Sequence, residues 1–362
     1  MSAETAPPRP RWNPRSPSSR SPRILHVPTD VAGNAFRLSR AERELGLQST
    51  VAVLWGGRFG YDADIRLDVE GHGALRQMAS RVALLRRALR NYDIIHFNFG
   101  QTFFAQRMFG HVINELPLFK RAGKTILVTF QGCDVRPWAY CYCRQEHCYR
   151  EDRYRLPNAA HFLRYADRSF HVNPDLKRWL PGSRFLPYTN VDPRVLTPSQ
   201  PIVRRDEVVV AHAPTSRAAK GTHHVLSAIQ QLQGEGLPIR LDLIELVSHE
   251  QALDRLRAAD IVVDQLLMGW YGGLGVEAMA LAKPVLCDID ASSLGDTPFG
   301  AELPIVPANQ HTIVARLREL VNDRDAQLRI GAAGRAFVER WHDPRAVARE
   351  VLAGIVELST PA

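Results

Sequence analysis

The feature that most constrains this chain is an alternation that runs twice. From Arg23, short β-branched apolar runs alternate with amphipathic helical stretches, and after a proline-rich break the alternation starts again. In the first half, "RILHVP" passes through the loop "TDVAGN" into "AFRLSRAERELGL" and then "STVAVL". A helix follows over 73–90, with Leu75, Met78, Val82, Leu85 and Leu89 spaced 3, 4, 3 and 4 apart. "YDIIHFN" reads as a strand, Thr102 to Arg121 as a helix, "KTILVTF" as a strand, Asn158 to Tyr165 as a helix and "RSFHV" as a strand. Residues 193–206, "PRVLTPSQPIVRRD", carry three prolines and no periodicity, the signature of an interdomain linker. The second half repeats the pattern with "EVVVAHAP", "THHVLSAIQQLQ", "PIRLDLIE", "HEQALDRLRAA", "DIVVDQ", "LGVEAMALA" and "KPVLCDI", and ends in three helices at roughly 309–322, 324–341 and 344–359.

Strands separated by helices form parallel sheets covered on both faces. The expected fold class is therefore α/β, with two Rossmann-like domains facing across a cleft. Residues 1–22 form a tail, 23–192 the first domain, 193–206 the linker and 207–343 the second domain. Ligands of such sheets sit beyond the carboxyl ends of the strands.

Composition narrows the function classes. The chain of 362 residues has a formal charge of +8, but residues 1–23 hold five arginines and one acid, so half of that charge lies in the tail. Nothing in the body demands a nucleic-acid surface. No apolar run approaches the ~20 residues of a membrane span, and the Pro-, Ser- and Arg-rich start lacks the apolar core of a secretory signal. Five cysteines, an odd number without an export signal, point to a reducing cytoplasm. The 73–90 helix sets Arg76, Arg81, Arg86, Arg87 and Arg90 opposite its apolar stripe. Such a helix can lie on an anionic membrane surface as a peripheral contact, although covering the sheet with a solvated arginine face is the plainer reading.

No phosphate-binding P-loop occurs, and only one glycine follows the first strand, which argues against a nicotinamide or flavin site. The second half carries the chemistry. "APTSRAAKG" sets Arg217 and Lys220 three residues apart, after a strand and before a helix. Two cations beside helix amides suit a diphosphate, and an exposed basic loop is the plain alternative. The run "MGWYGGLGVEAMALAKPVL" spends Gly269, Gly272, Gly273 and Gly275 just before a short helix that carries Glu277 near its start. A helix N-terminus is an anion site, and an ionised carboxylate accepts hydrogen bonds from two adjacent hydroxyls such as those of a ribose. Together these features describe a nucleotide-diphosphate pocket.

The boxes "GGLGVEAMALAKPVL", "PTSRAAKGTHHVLSAIQQL" and "GAAGRAFVERWHDPRAVAREV", with "TDVAGNAFRLSRAERELG" and "TFQGCDVR" in the first half, resemble the family 4 glycosyltransferases of the GT-B fold over nearly the whole chain beyond the tail. The resemblance implies a UDP- or GDP-sugar donor held by the second domain and transferred to an acceptor hydroxyl with retention, without an obligatory metal. It implies that Arg217 and Lys220 bind the diphosphate, that Glu277 accepts the ribose hydroxyls, and that Gly272, Gly273 and Leu274 meet the sugar and phosphates. It implies that Gly33 and Asn34 close on the donor from the first domain and that the last helix packs back onto that domain. Gln131 and Asp134 fall at the catalytic edge of the cleft.

Two positions depart from the pattern. The family's second acid, eight residues before Glu277, is Gly269 here, and its first-domain histidine is Gln131, which cannot act as a base. Two rivals therefore stand beside the transferase: a nucleotide-sugar epimerase on the same fold, and a catalytically silent partner subunit that binds a sugar nucleotide. Asp134 either orients a sugar or acceptor hydroxyl or forms an ion pair with Arg136 or a neighbour. Cys133, Cys141, Cys143 and Cys148, with His147, depart from zinc spacing and read as an insert of reduced thiols that shapes the acceptor side. Asp62/Asp64 and Asp288/Asp290 form D-x-D pairs of low specificity. His96, His171 and His212 lie in or beside strands and read as packed or hydrogen-bonded.

Overall fold

The computed structural model describes residues 21–55, 61–104, 114–141, 146–198 and 206–358. Two all-parallel sheets carry the chain. The first has seven strands, β1 Arg23–Val27, β2 Gln48–Val53, β3 Ile65–Arg66, β4 Ile94–Asn98, β5 Thr125–Phe130, β6 Arg168–His171 and β7 Arg184–Phe185, in the order β3-β2-β1-β4-β5-β6-β7. The second has five, β8 Val208–His212, β9 Ile239–Leu243, β10 Ile261–Val263, β11 Val285–Cys287 and β12 Val306–Pro307, in the order β12-β11-β10-β8-β9. The strands read as continuous apolar runs because helices cover both faces, and the central strands β4, β10 and β11 are buried throughout. Strand order reverses between β1 and β4 in one sheet and between β8 and β10 in the other. These switch points open the crevices in which ligands of doubly wound sheets bind. The chain thus folds as two Rossmann-like domains facing across a cleft. The edge strands β3 and β12 were not expected, since two residues are too few to show a period.

The helices match the sequence pattern where amphipathicity was strong. They are α1 Asn34–Glu44, α2 Ala74–Asn91, α3 Leu116–Arg121, α4 Glu146–Tyr165, α5 Arg217–Lys220, α6 Thr222–Gly234, α7 His249–Ala258, α8 Gly273–Ala280, α9 Ile313–Asn322, α10 Arg324–Trp341 and α11 Pro344–Leu352. Several boundaries differ from expectation, each for a local reason. The expected helix Thr102–Arg121 is helical only over α3 in its described part. Buried Glu115 accepts from the Phe103 amide and Arg81 donates to the Phe103 carbonyl, so side chains occupy the backbone groups that a helix would use. Helix α4 begins at Glu146 rather than Asn158 and keeps Pro157 inside it. Arg155 donates to the Arg136 carbonyl at 2.7 Å, and this tertiary hold carries the helix past its proline. The last helix stops at Leu352 rather than 359, just before Gly354 at φ +67°. On α2, Arg81 does not join the solvated face. It is 7% exposed and its guanidinium lies 5.9 Å from the Trp55 ring centre, whereas Leu75, expected on the apolar stripe, is 89% exposed.

Helix α11 lies on the first sheet's side. Val347, Ala348, Val351 and Leu352 share a core cluster with Ile24, Leu38, Leu127 and Phe170. The chain therefore crosses twice between the halves. At the second crossing His342 is fully buried. Its Nδ1–H donates to the Tyr188 carbonyl at 2.8 Å, which leaves Nε2 to accept from the Tyr271 hydroxyl at 3.2 Å. Beside it α10 rests on α8 and on the turn that follows. A Cβ on Gly331 would stand 2.1 Å from the Ala282 carbonyl oxygen, and one on Gly334 would stand 3.1 Å from Met279. His96 bonds Thr129, His171 bonds Ser183, and His212 bridges Val263 and Thr222, so all three strand histidines are hydrogen-bonded, as expected.

Two stability tests follow from this packing. Gly331→Ala should cost about 3 kcal/mol, because backbone must yield. Gly234→Ala, at a site with nothing within 4 Å, should gain about 0.5 kcal/mol. Equal midpoints in urea for the two variants would contradict the α8–α10 contact. Burial holds His342 down at about 4. The unfolded chain takes up this proton near pH 6.5 and the folded chain refuses it, so about 3 kcal/mol of stability present above pH 6.5 is lost as pH falls towards 4. His342→Gln should flatten that part of the stability–pH curve.

Candidate functional site

The site grows from the loops at the carboxyl ends of β8, β9 and β10. After β8 the chain turns at Ser216, whose hydroxyl accepts from the Ala219 amide, and the single turn α5 then presents Arg217 and Lys220. Gly221, at φ +74°, separates this turn from α6. Arg217 reaches across to the end of β9 and pairs with Glu245 through two bonds of 2.9 and 2.5 Å in an exposed setting. Lys220 is held further in. Its ammonium lies 3.2 Å from Asp264 Oδ1 and also bonds Gln265 Oε1. Asp264 is fully buried, and its other oxygen accepts from the Gly272 amide at 2.6 Å.

This arrangement explains the glycines ahead of α8. A Cβ on Gly272 would sit 3.2 Å from the Lys220 ammonium, and one on Gly273 would sit 3.1 Å from the Asn190 amide and 3.4 Å from Ala32. At Gly273, segments of the first half come within contact of the α8 N-terminus. Gly269 takes φ +68°, donates to Asp288 at 2.9 Å and accepts from the Asp290 amide at 2.8 Å. The D-x-D pair at 288/290 therefore braces the turn at Gly269, where the resemblance implied an acid. In the other pair, Asp64 accepts from the Val51 amide and pairs with Arg40 and Arg43.

Glu277 lies in the second turn of α8 and is 7% exposed. Its Oε1 accepts from His249 Nε2 at 2.7 Å and from Asn190 Nδ2 at 3.5 Å. The hydrogen bond to Glu277 raises the His249 pKa above the ordinary histidine value, with burial and Arg37 opposing. Arg217, Lys220, Gly273, Leu274, Glu277 and His249 all line one cavity of about 550 Å³, closed from the first domain by Ala32 and Tyr61.

The first-domain residues divide. Gly33, at φ +77°, adjoins Ala32, and a Cβ there would stand 3.2 Å from the Tyr61 ring. Asn34 is turned away from the cavity. Its amide donates to Val31 and its Oδ1 accepts from the Thr189 amide at 2.7 Å, which ties the loop to the segment after β7. Gln131 and Asp134 do not line the donor-side cavity among the described residues. Asp134 accepts from its own turn's amides, Gln131 and Gly132, and burial pushes its carboxyl up to about 6. It does not pair with Arg136, which instead makes a two-bond pair with Asp175. Asp134 lines a second cavity of about 340 Å³ in the first domain, with Trp55, Arg81, Tyr154 and Arg155. The buried Gln131 Oε1 has no hydrogen-bond partner among the described residues. Cys133 borders the second cavity and Cys141 is buried. Cys143 and the side chains of His147 and Cys148 lie outside the described residues.

Sequence reasoning missed Tyr61, Asn190, His249 and the role of Asp264. Only Asp264 left a trace, as a carboxylate at a strand end with the wrong spacing for the expected acid.

Three solved structures show what this architecture is similar to. Sucrose-phosphate synthase from Thermosynechococcus elongatus superposes with a TM-score of 0.64 at 17% identity over 91% of this chain and 97% of that one. The Anabaena protein HepE, crystallised with UDP and glucose, gives 0.61 at 12% identity over 94% and 100%. A putative UDP-N-acetylglucosamine 2-epimerase from Listeria monocytogenes gives 0.55 at 16% identity over 93% and 96%. No protein-family model and no curated protein matches the chain. At these identities the likeness is one of fold, and the fold is GT-B.

Proposed function

We propose that this protein is a glycosyltransferase that moves a sugar from a UDP- or GDP-sugar to an acceptor hydroxyl on a glycan, a lipid-linked intermediate or a small metabolite, with retention of configuration, as in family 4. The observation that carries the reading is that two segments far apart in sequence, one with Arg217 and Lys220 and the other with Glu277 and the α8 N-terminus, line one cavity at the second sheet's switch point. In this reading Lys220, Arg217 and the amides of Gly273 and Leu274 take the diphosphate and stabilise it as it leaves. Glu277 accepts the ribose hydroxyls, and the Gly33 loop closes over the donor. These cations and amides supply the charge stabilisation from the chain itself. The donor domain would span 207–343. The first domain, 23–192 with α11, would hold the acceptor near Gly33, Gln131 and Asp134, against the cavity that Trp55 and Tyr154 line. Closure about the 193–206 linker would exclude water. No helix among the described residues is long and apolar enough to cross a membrane. We place the protein in the cytoplasm, with α2 as its candidate membrane face.

The likeness to a putative 2-epimerase keeps a second reading open, in which the donor itself is the substrate. Release of free nucleoside diphosphate only when an acceptor is added supports the transferase, whereas conversion of donor without acceptor supports the epimerase. A silent binding subunit would do neither. In a thermal-shift screen, the preferred nucleoside diphosphate at a hundredfold excess over Kd should stabilise the chain by about 2.7 kcal/mol, and Glu277→Ala should cut the shift to about half of that or less. An undiminished shift in that variant removes Glu277 from the donor site.

A further inference from the structure

We propose that His249 is a positioning residue of the donor site, which anchors one oxygen of Glu277 so that the other faces the two adjacent hydroxyls of the bound nucleoside. This rests on the donor reading above. Glu277 Oε1 is occupied twice, by His249 Nε2 at 2.7 Å and by Asn190 Nδ2 at 3.5 Å, whereas Oε2 accepts no hydrogen bond from the described residues and is not closed off from solvent. A carboxylate held at one oxygen and open at the other is oriented before its ligand arrives, and little rotamer freedom then remains to be lost on binding.

His249 is itself fixed from below. It is the first residue of α7, directly after a reciprocal cap in which the Ser248 hydroxyl accepts from the Gln251 amide at 3.2 Å and Gln251 Oε1 accepts from the Ser248 amide at 3.1 Å. From above, Tyr61 of the opposite domain lays its ring 5.1 Å from the imidazole and over Gly33. Asn190, the other donor to Oε1, also donates to the Gly273 carbonyl at 3.1 Å. The acid is therefore aligned by groups from both domains, and ribose recognition becomes a property of the closed molecule.

The test measures binding of UDP and 2′-deoxy-UDP by calorimetry to the full chain and to two variants, with GDP and 2′-deoxy-GDP as the alternative pair. The wild type should prefer the ribonucleotide about tenfold, as expected for one hydroxyl bonded to a carboxylate. His249→Ala should bring the ratio to about one while 2′-deoxy-UDP still binds within about twofold of wild type, because the diphosphate contacts stay. His249→Gln, which restores a neutral donor, should recover part of the preference. An unchanged ratio in His249→Ala, or equal loss of both ligands in both variants, overturns the positioning role. A wild type that binds none of the four nucleotides overturns the donor reading instead, and one that binds UDP and 2′-deoxy-UDP equally removes Glu277 from the ribose.

Discussion

Asp264 divides its two oxygens between the Lys220 ammonium and the Gly272 amide, and the arrangement of the second domain's cavity follows from that division. A fully buried carboxylate is costly unless ion pairing and hydrogen bonds together offset its desolvation. Here Lys220 supplies the ion pair and the Gly272 amide supplies the hydrogen bond. The cation cannot swing into solvent without leaving Asp264 uncompensated, and the α8 N-terminus cannot drift without losing its amide partner. One buried acid at the end of β10 thus sets the distance between a positive side chain and a helix end. Arg217 differs, since its partner Glu245 is a surface acid. Exposed pairs of this kind hold weakly, so an entering anion can take Arg217 from Glu245 while Lys220 stays seated on Asp264.

The contact between the domains is polar where it meets the cavity and apolar behind it. Asn190 bonds Gly273 and Glu277, and His342 bonds the Tyr188 carbonyl, so two residues after β7 carry cross-links, while Thr189 between them bonds Asn34 within the first domain. Behind them Arg335 clamps the start of the linker, donating to the Pro193 and Leu196 carbonyls at 2.5 and 2.6 Å and to Ala280 at 2.9 Å. The clamp ties the linker to the end of α8, the helix that carries Glu277.

Much of this fold was legible because parallel strands buried on both faces leave unbroken apolar runs, as in "IIHFN" and "DIVVDQ", and because α2 and α6 keep a clear helical period. The positions of Arg217 and Lys220 were legible because they lie just past a strand whose end could be located, and that of Glu277 because it lies in a short helix after a run of glycines. What failed to show were partners brought together only by the tertiary fold. His249 stands 28 residues from Glu277 and Asn190 stands 87 away, and neither has a local pattern that marks it. Tyr61 belongs to the other domain altogether. Helix boundaries failed where buried side chains took backbone groups, as Glu115 and Arg81 do at Phe103. Of the two readings of Asp134, the pairing with Arg136 does not form. Its nearest donors are the amides of its own turn, and Arg136 finds a better-placed carboxylate in Asp175.

The absent acid at Gly269 gains a physical context. The left-handed backbone there suits glycine, and the turn is pinned by Asp288 through its amide and by Asp290 through its carbonyl. Restoring an acid would impose a side chain on a φ of +68° with a Cβ 3.4 Å from that of Asp290, which sets a new carboxylate beside two existing ones. An acid at this position would therefore meet backbone strain and like charge together. Asp288, already pushed up by burial, is the carboxyl group bonded to that turn. The glycine belongs to a unit of the turn and its two aspartates, so on the proposed reading a sugar preference would be sought in this three-residue unit rather than in Gly269 alone.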